Sequence, residues 1–359
     1  MNILYINNTM KLGGGVQKCI YQLINHFKIK NDVMIASAGG EFVCELNENN
    51  IKHFSIINPE EKSLIAIVKN LIFLKRIVKN YNIDIIHSHH RMTTLYAKII
   101  SKITNVKVIH TEHSFNFDKK KIANIVLKNI NIISISSGVK ENLINEYKLR
   151  EENITTIYNG IEFIDTDDEV VKELLDAKEN GSFIVGAISR LEEVKGIQFL
   201  LEAMCSIVEK GFDIKLFIIG DGTLKTEFEE YINRKKLDRY IYLLGRKTNI
   251  KAYINFFDIV VQPSINEGLG LAAIESISQG VPVIGSNIDG LNEVIKNNVN
   301  GLLFPVGDID MLSECIIKLY NNITLREKLG ESGVIYYNEF FREDIYYNKH
   351  KEIYKGVLE

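Results

Sequence analysis

Gln262-Pro263-Ser264-Ile265-Asn266-Glu267-Gly268-Leu269-Gly270-Leu271-Ala272-Ala273-Ile274-Glu275 begins on the last residue of an apolar, β-branched run at 258–262. Pro263 and Ser264 stop that run as a strand, and the spacing from Leu269 to about Gln279 predicts a helix. The first N–H groups of a helix have no partner within it, and its dipole places partial positive charge at that end. The segment therefore reads as a strand, a turn and an anion-binding helix start. Glu267 stands ahead of this helix and Glu275 inside it, about six residues in, or roughly 9 Å along the axis. Carboxylates spread in this way can accept hydrogen bonds from hydroxyls at two ends of a long polyhydroxy ligand. The plainer alternative is a loop charge and a solvated helix residue.

The same strand-then-helix unit repeats almost throughout the 359 residues. Strand-like runs fall at 2–7, 33–38, 53–57, 83–88, 106–111, 131–136 and 154–158, with helical stretches such as 16–28, 63–80, 93–104 and 137–147 between them. A second series follows at 183–188, 214–219, 240–244, 258–262, 281–285 and 302–304. Most of these runs are nearly all apolar, as expected of parallel strands covered on both faces. Alternating strands and helices predict the α/β class, here two doubly wound, Rossmann-like domains facing across a cleft. The series resets at about 160–170, a polar acidic stretch. The expected domains are 1–165 and 166–340, with a terminal helix at 341–359 crossing back to the first. Open α/β sheets bind ligands at the carboxyl ends of their strands.

Hydrophobic residues make up 46% and charged residues 25%, an ordinary soluble balance. The net charge of −3 argues against nucleic acid as a partner. Residues 1–165 hold 21 Lys and Arg against 15 Asp and Glu, so the excess of acid lies in the second half and the first half suits an anionic surface or substrate. Four dispersed cysteines, with no metal-type spacing, suit a reducing compartment. No targeting segment is visible and the longest apolar runs are short. The expectation is a cytoplasmic protein; helix 63–80, which carries Lys69, Lys75, Arg76 and Lys79 and no acid, reads more commonly as a helix packed on the sheet with a solvated basic edge, with peripheral contact at the inner membrane face as the other reading. Lys119-Lys120-Lys121 opens another basic helix.

Three further stretches carry chemistry. Arg190 and Lys195 follow the strand end at Ser189, and two cations at such an edge suit a diphosphate, the plainer alternative being two exposed basic residues. Gly13-Gly14-Gly15 lies between the first strand and the first helix, where bare backbone can approach phosphate; it lacks the G-x-G-x-x-G pattern, so a nicotinamide cofactor is a weak reading. His87, His89, His90, His110 and His113 close two consecutive strands, which favours hydroxyl recognition or proton handling at that edge. Structural histidines are the plainer alternative, and a zinc site is the weakest reading, since the spacing does not match a metal pattern.

Together these motifs resemble the GT-B glycosyltransferases of retaining family 4. The resemblance rests on Glu267 and Glu275 as an E-x7-E pair, then Gly280-Val281-Pro282-Val283-Ile284, Gly290-Leu291-Asn292-Glu293-Val294-Ile295 and Asn300-Gly301-Leu302-Leu303-Phe304. Ser189-Arg190, Lys195-Gly196, Ile218-Ile219-Gly220-Asp221-Gly222 and Asn159-Gly160-Ile161 also stand in the family's order. It implies transfer of a sugar, with retention, from a nucleotide diphosphate donor, most simply a UDP-sugar, to a saccharide or lipid-linked saccharide in cell-surface polysaccharide or glycolipid synthesis. Arg190 and Lys195 would contact the diphosphate, with Gly14 and Gly15 closing on it. Glu275 would bind the ribose and Arg246 would lie beside the base. Glu267 would hold donor-sugar hydroxyls, helped by main-chain N–H groups of Gly268, Leu269, Gly270 and Leu271, and His113 would sit by the reacting sugar. No metal and no cofactor is expected. Leu269 replaces the family's usual Phe, and Gln17 replaces a common Glu. A nucleotide-sugar 2-epimerase of the same architecture and a non-catalytic nucleotide-sugar-binding partner subunit are the competing readings.

Overall fold

A computed structural model describes residues 1–11, 14–61, 63–115, 120–161, 163 and 170–359. Gly13, Lys119 and most of the acidic stretch expected to join the domains lie outside the described residues. The chain divides into two compact units, Met1–Gly160 with Asp344–Glu359, and Ile161–Glu343.

The first unit is built on a seven-stranded sheet: β1 Asn2–Ile6, β2 Asp32–Ser37, β3 Lys52–Ser55, β4 Ile85–Ser88, β5 Lys107–Glu112, β6 Asn131–Ser134 and β7 Ile154–Thr156, in the order β3-β2-β1-β4-β5-β6-β7. The second has six strands: β8 Phe183–Ile188, β9 Ile214–Ile219, β10 Ile241–Leu243, β11 Ile259–Gln262, β12 Val283–Ser286 and β13 Gly301–Phe304, in the order β10-β9-β8-β11-β12-β13. Every pairing is parallel. Runs such as Ile259-Val260-Val261 are buried at every residue, the expected price of helices on both faces.

Strand order reverses once in each sheet, between β1 and β4 and between β8 and β11. At a reversal the two following helices leave to opposite faces, which opens a crevice at the carboxyl ends. The segments that matter chemically start there: Ser189 follows β8, Pro263 follows β11 and His89 follows β4.

The last helix, Glu343–Gly356, supplies Tyr346, Tyr347 and Tyr354 to the core of the first unit, beside Ile3, Tyr5, Leu23 and Phe27. The Tyr354 hydroxyl lies 3.0 Å from the Tyr5 hydroxyl and 2.7 Å from His87 Nδ1, so two strands are tied to a distant helix through one buried oxygen.

Helix Leu64–Asn80 packs by one stripe, Ala66, Asn70, Leu74, Ile77 and Val78. Asn70 fixes its orientation, accepting from the Ile57 N–H at 3.0 Å and donating to the Ile57 carbonyl at 2.8 Å. A second apolar stripe, Leu64, Ile65, Val68 and Ile72, is left exposed, with Leu64 at 78%. The neighbouring helices Arg91–Ser101 and Lys120–Leu127 also leave Ile99, Ile122 and Ile125 exposed.

Replacing Tyr354 by Phe strips buried Tyr5 and His87 of a shared partner. The variant is expected to lose about 1–3 kcal/mol of stability, read from urea unfolding of the full chain.

Candidate active site

In the second unit the site begins with a close approach of two turns. Gly196 has φ 67, and a Cβ built on it would lie 1.9 Å from the Pro263 carbonyl oxygen, so only glycine fits. The Ile265 N–H donates to the Val194 carbonyl at 2.9 Å, locking the two turns together. This contact carries Lys195, after β8, to Glu267, after β11. Lys195 Nζ donates to Glu267 Oε2 at 2.6 Å, and both side chains are largely buried. Gln262 Nε2 at 3.2 Å and Ser264 Oγ at 3.5 Å also donate to that oxygen.

The helix expected from Leu269 starts two residues later. It spans Leu271–Ser278, because Gly270 takes a left-handed backbone (φ 86) at its N-cap. Gly268, Leu269 and Gly270 therefore form the turn ahead of the helix, and only Leu271 of the four proposed main-chain donors is helical. Glu275 is four residues in, roughly 6 Å along the axis, and is 5% exposed, which rules out the solvated alternative. Behind the turn sits Gly290, where an added Cβ would lie 2.2 Å from the Glu267 carbonyl oxygen. The Gly290-Leu291-Asn292-Glu293 motif thus supports the backbone that presents Glu267.

Two predicted cations stand further out. Arg190 is exposed and pairs with Glu192 at 2.6 Å. Arg246 is exposed just after Gly245, whose carbonyl accepts from the Gly220 N–H at 2.8 Å. The loops after β9 and β10 are joined by that bond.

In the first unit Gly14 caps helix Gly15–Phe27, on the connection from β1. Strands β4 and β5 are neighbours, with Ser88 opposite His110, so the histidines following them meet. His89 Nδ1 and His113 Nε2 are 2.9 Å apart. His89 also lies over His87, ring centroids 4.3 Å apart, and His87 Nε2 meets Thr111 Oγ1 at 2.7 Å. Beneath them, Arg91 donates through Nε and Nη2 to Glu112 Oε2, both at 3.1 Å. Burial drives His87 and His89 well below their ordinary value of 6.5, and takes His113 to about 3 against the pull of Glu112. His350 is brought to about 4 by burial. These rings are neutral hydrogen-bonding groups at physiological pH. Burial opposes the charge on Glu112, but the hydrogen bond and charge of His110 and the Arg91 guanidinium hold its carboxyl at about 2.

Residues 171–334 match the family model described as Glycosyl transferases group 1, and residues 13–163 match that described as Glycosyltransferase Family 4. The Escherichia coli UDP-Gal:alpha-D-GlcNAc-diphosphoundecaprenol alpha-1,3-galactosyltransferase is 30% identical over 284 residues, 73% of each chain. This chain belongs to the family 4, group 1 glycosyltransferases. A glycosyltransferase from Rickettsia africae has TM-score 0.86 at 26% identity, covering 100% of this chain and 99% of that one. Anabaena HepE in complex with UDP has the same fold, with TM-score 0.86 at 19% identity over 99% and 100% of the two chains. The two parallel, helix-flanked sheets are those of GT-B enzymes.

Within this glycosyltransferase the fold brings Lys195, Glu267 and the Gly268–Leu271 segment together, and places His113 against His89. Arg190 turns to Glu192 instead of joining Lys195. Sequence reasoning missed three groups: Gln262 as a partner of Glu267, Arg91 as the clamp on Glu112, and His89 as the partner of His113. The histidine cluster was a signal for the last. Gln262 and Arg91 carried none, because each looks like an ordinary residue at an element boundary.

The histidines bind protons more readily when unfolded, so their contribution to stability is complete above about 6.5 and declines as pH falls toward 4 and 3. Glu112, depressed from 4.5 to about 2, contributes above 4.5 and loses that contribution between those values. The melting temperature is therefore expected to fall from pH 6.5 downward and more steeply below 4.5. His87→Gln should flatten the upper part of that decline, as calorimetry across pH 7 to 4 would show.

Proposed function

We propose that this glycosyltransferase is a retaining, metal-independent enzyme that moves a hexose from a UDP-sugar to a lipid-linked saccharide acceptor during cell-surface polysaccharide assembly. The observation that carries the reading is the Lys195–Glu267 pair at the β8/β11 reversal. A lysine and a carboxylate held together there can exchange partners when a nucleotide sugar arrives, the ammonium turning to phosphate and the carboxylate to sugar hydroxyls. The Escherichia coli relative, a UDP-Gal-dependent galactosyltransferase by name, and the UDP complex of Anabaena HepE support the choice of base. The relative's diphosphoundecaprenol substrate supports a lipid-linked acceptor.

In this reaction the bond from the anomeric carbon to the β-phosphate oxygen breaks and a bond to the acceptor oxygen forms. The acceptor proton passes to the departing phosphate, so a protein base is not needed. Negative charge grows on the diphosphate, where Lys195, Arg190 and the start of helix Leu271–Ser278 would stabilise it. Glu275 would bind the ribose, Arg246 would flank the base, and neutral His113 would hydrogen-bond the donor sugar.

The exposed face of helices Leu64–Asn80, Arg91–Ser101 and Lys120–Leu127 supports a peripheral membrane role. It combines exposed Leu64, Ile65, Val68 and Ile72 with exposed Lys69 and Arg76, and the three helices contain no acidic residue; Lys120 is paired with Glu146 and Lys98 with backbone carbonyls. Apolar side chains that enter the interface, ringed by cations, fit anionic lipid. Among the described residues no helix is long and apolar enough to cross a membrane.

UDP is expected to raise the melting temperature of the wild type, and Lys195→Ala to weaken UDP binding on the order of 10- to 100-fold. Absence of any UDP-induced shift, in the face of a shift with GDP or ADP, would overturn the choice of donor. Product NMR should show the donor's anomeric configuration, with turnover unchanged by EDTA. Vesicles containing anionic lipid should sediment the wild type, and each of Lys69→Gln and Arg76→Gln should weaken that by roughly fivefold. Equal binding to neutral vesicles would sink the electrostatic part.

A further inference from the structure

Gln262 is the last residue of β11 and only 5% exposed. Its Nε2 donates to Glu267 Oε2, an orientation that chemistry requires, since a carboxylate cannot accept from an amide oxygen. That choice turns the other end of the amide, Oε1, into a buried acceptor with no hydrogen-bond partner among the described residues. The amide lies against the glycine turn: a Cβ built on Gly270 would be 3.5 Å from both Oε1 and Nε2. Buried acceptors are nearly always satisfied, and an orphan beside a candidate ligand site is the group most readily completed by the ligand.

Glu267 sharpens the point. Its Oε2 already receives Lys195, Gln262 and Ser264, so Oε1 is the oxygen left to face a ligand. Gln262 and Glu267 thus each offer one acceptor oxygen around the Gly268–Gly270 turn, braced by the hydrogen bond between them. Glu267 has no donor to offer, and one of the two N–H groups of the Gln262 amide is taken up by Glu267. Such a pair selects for O–H groups and leaves a buried acceptor unsatisfied when the O–H is missing.

We propose that Gln262 is a specificity-determining residue that accepts a hydrogen bond from one donor-sugar hydroxyl through Oε1 while its Nε2 holds Glu267 in place. This rests on the nucleotide-sugar reading given above, and refines it: the sugar must present an O–H donor, not merely bulk, to the end of β11.

The test compares dissociation constants without acceptor, by calorimetry, for UDP, UDP-glucose, UDP-galactose and the monodeoxy analogues of both sugars. The wild type is expected to bind the better parent at least ~10-fold more tightly than one particular monodeoxy analogue. In Gln262→Met, which keeps the length but has neither amide atom, that gap should fall below threefold, while UDP affinity stays within twofold of wild type. A gap that persists in Q262M at every position overturns the assignment, as does a wild type that accepts every deoxy sugar equally. Should Q262M melt below the assay temperature, a wild-type crystal soaked with the preferred UDP-hexose decides. Gln262 Oε1 within hydrogen-bonding distance of a sugar oxygen supports the proposal, and an Oε1 turned away from the sugar overturns it. A wild type that binds none of the uridine compounds sinks the donor reading itself, a result separable from failure at Gln262 alone.

Discussion

A bare α-carbon at residue 196 lets two strand–helix junctions touch. The turn after β8 and the turn after β11 meet at the Gly196–Pro263 contact, and any side chain at 196 would force them apart. On that contact depends the meeting of Lys195 with Glu267, and through Glu267 the placing of Gln262, Ser264 and the Gly268–Gly270 turn. The sheet makes the contact possible, because β8 and β11 are hydrogen-bonded neighbours although far apart in sequence. Parallel strands also bring all their carboxyl ends to one edge, so polar groups that would be costly inside the sheet collect where ligands can satisfy them.

The first unit solves a different problem with the same topology. It gathers histidines at the ends of β4 and β5 and then deprives them of water. Neutral rings in such a place act as oriented donors and acceptors, and their geometry is set by Tyr354, Thr111 and the Arg91–Glu112 clamp. The last helix thereby reaches the histidine cluster from the far end of the chain, through one buried hydroxyl. A buried ion pair contributes little net stability by itself, but one with good geometry can fix a register. Here it ties the start of helix Arg91–Ser101 to the end of β5, the residue before His113.

The composition of helix Leu64–Asn80 leaves two readings open, a helix packed on the sheet with a solvated basic edge and a helix that meets an anionic surface. Asn70 bonds both backbone groups of Ile57, and this decides which stripe packs and which is left in solvent.

What the residues determined by themselves was the alternation of buried strands with helices, the parallel class and the chemical character of the loop segments, because these follow from local periodicity and from side-chain type. The E-x7-E spacing, the two cations and the paired histidine groups were all legible in that way. The start of helix Leu271–Ser278 was misplaced by two residues, since the left-handed backbone of Gly270 is a choice that glycine permits and sequence does not announce. Strand order, the partner of each charge, the depth of Glu275 and the unsatisfied oxygen of Gln262 belong to tertiary structure alone. Each depends on which distant backbone comes to lie within a few ångströms, and no local pattern along a chain encodes that distance.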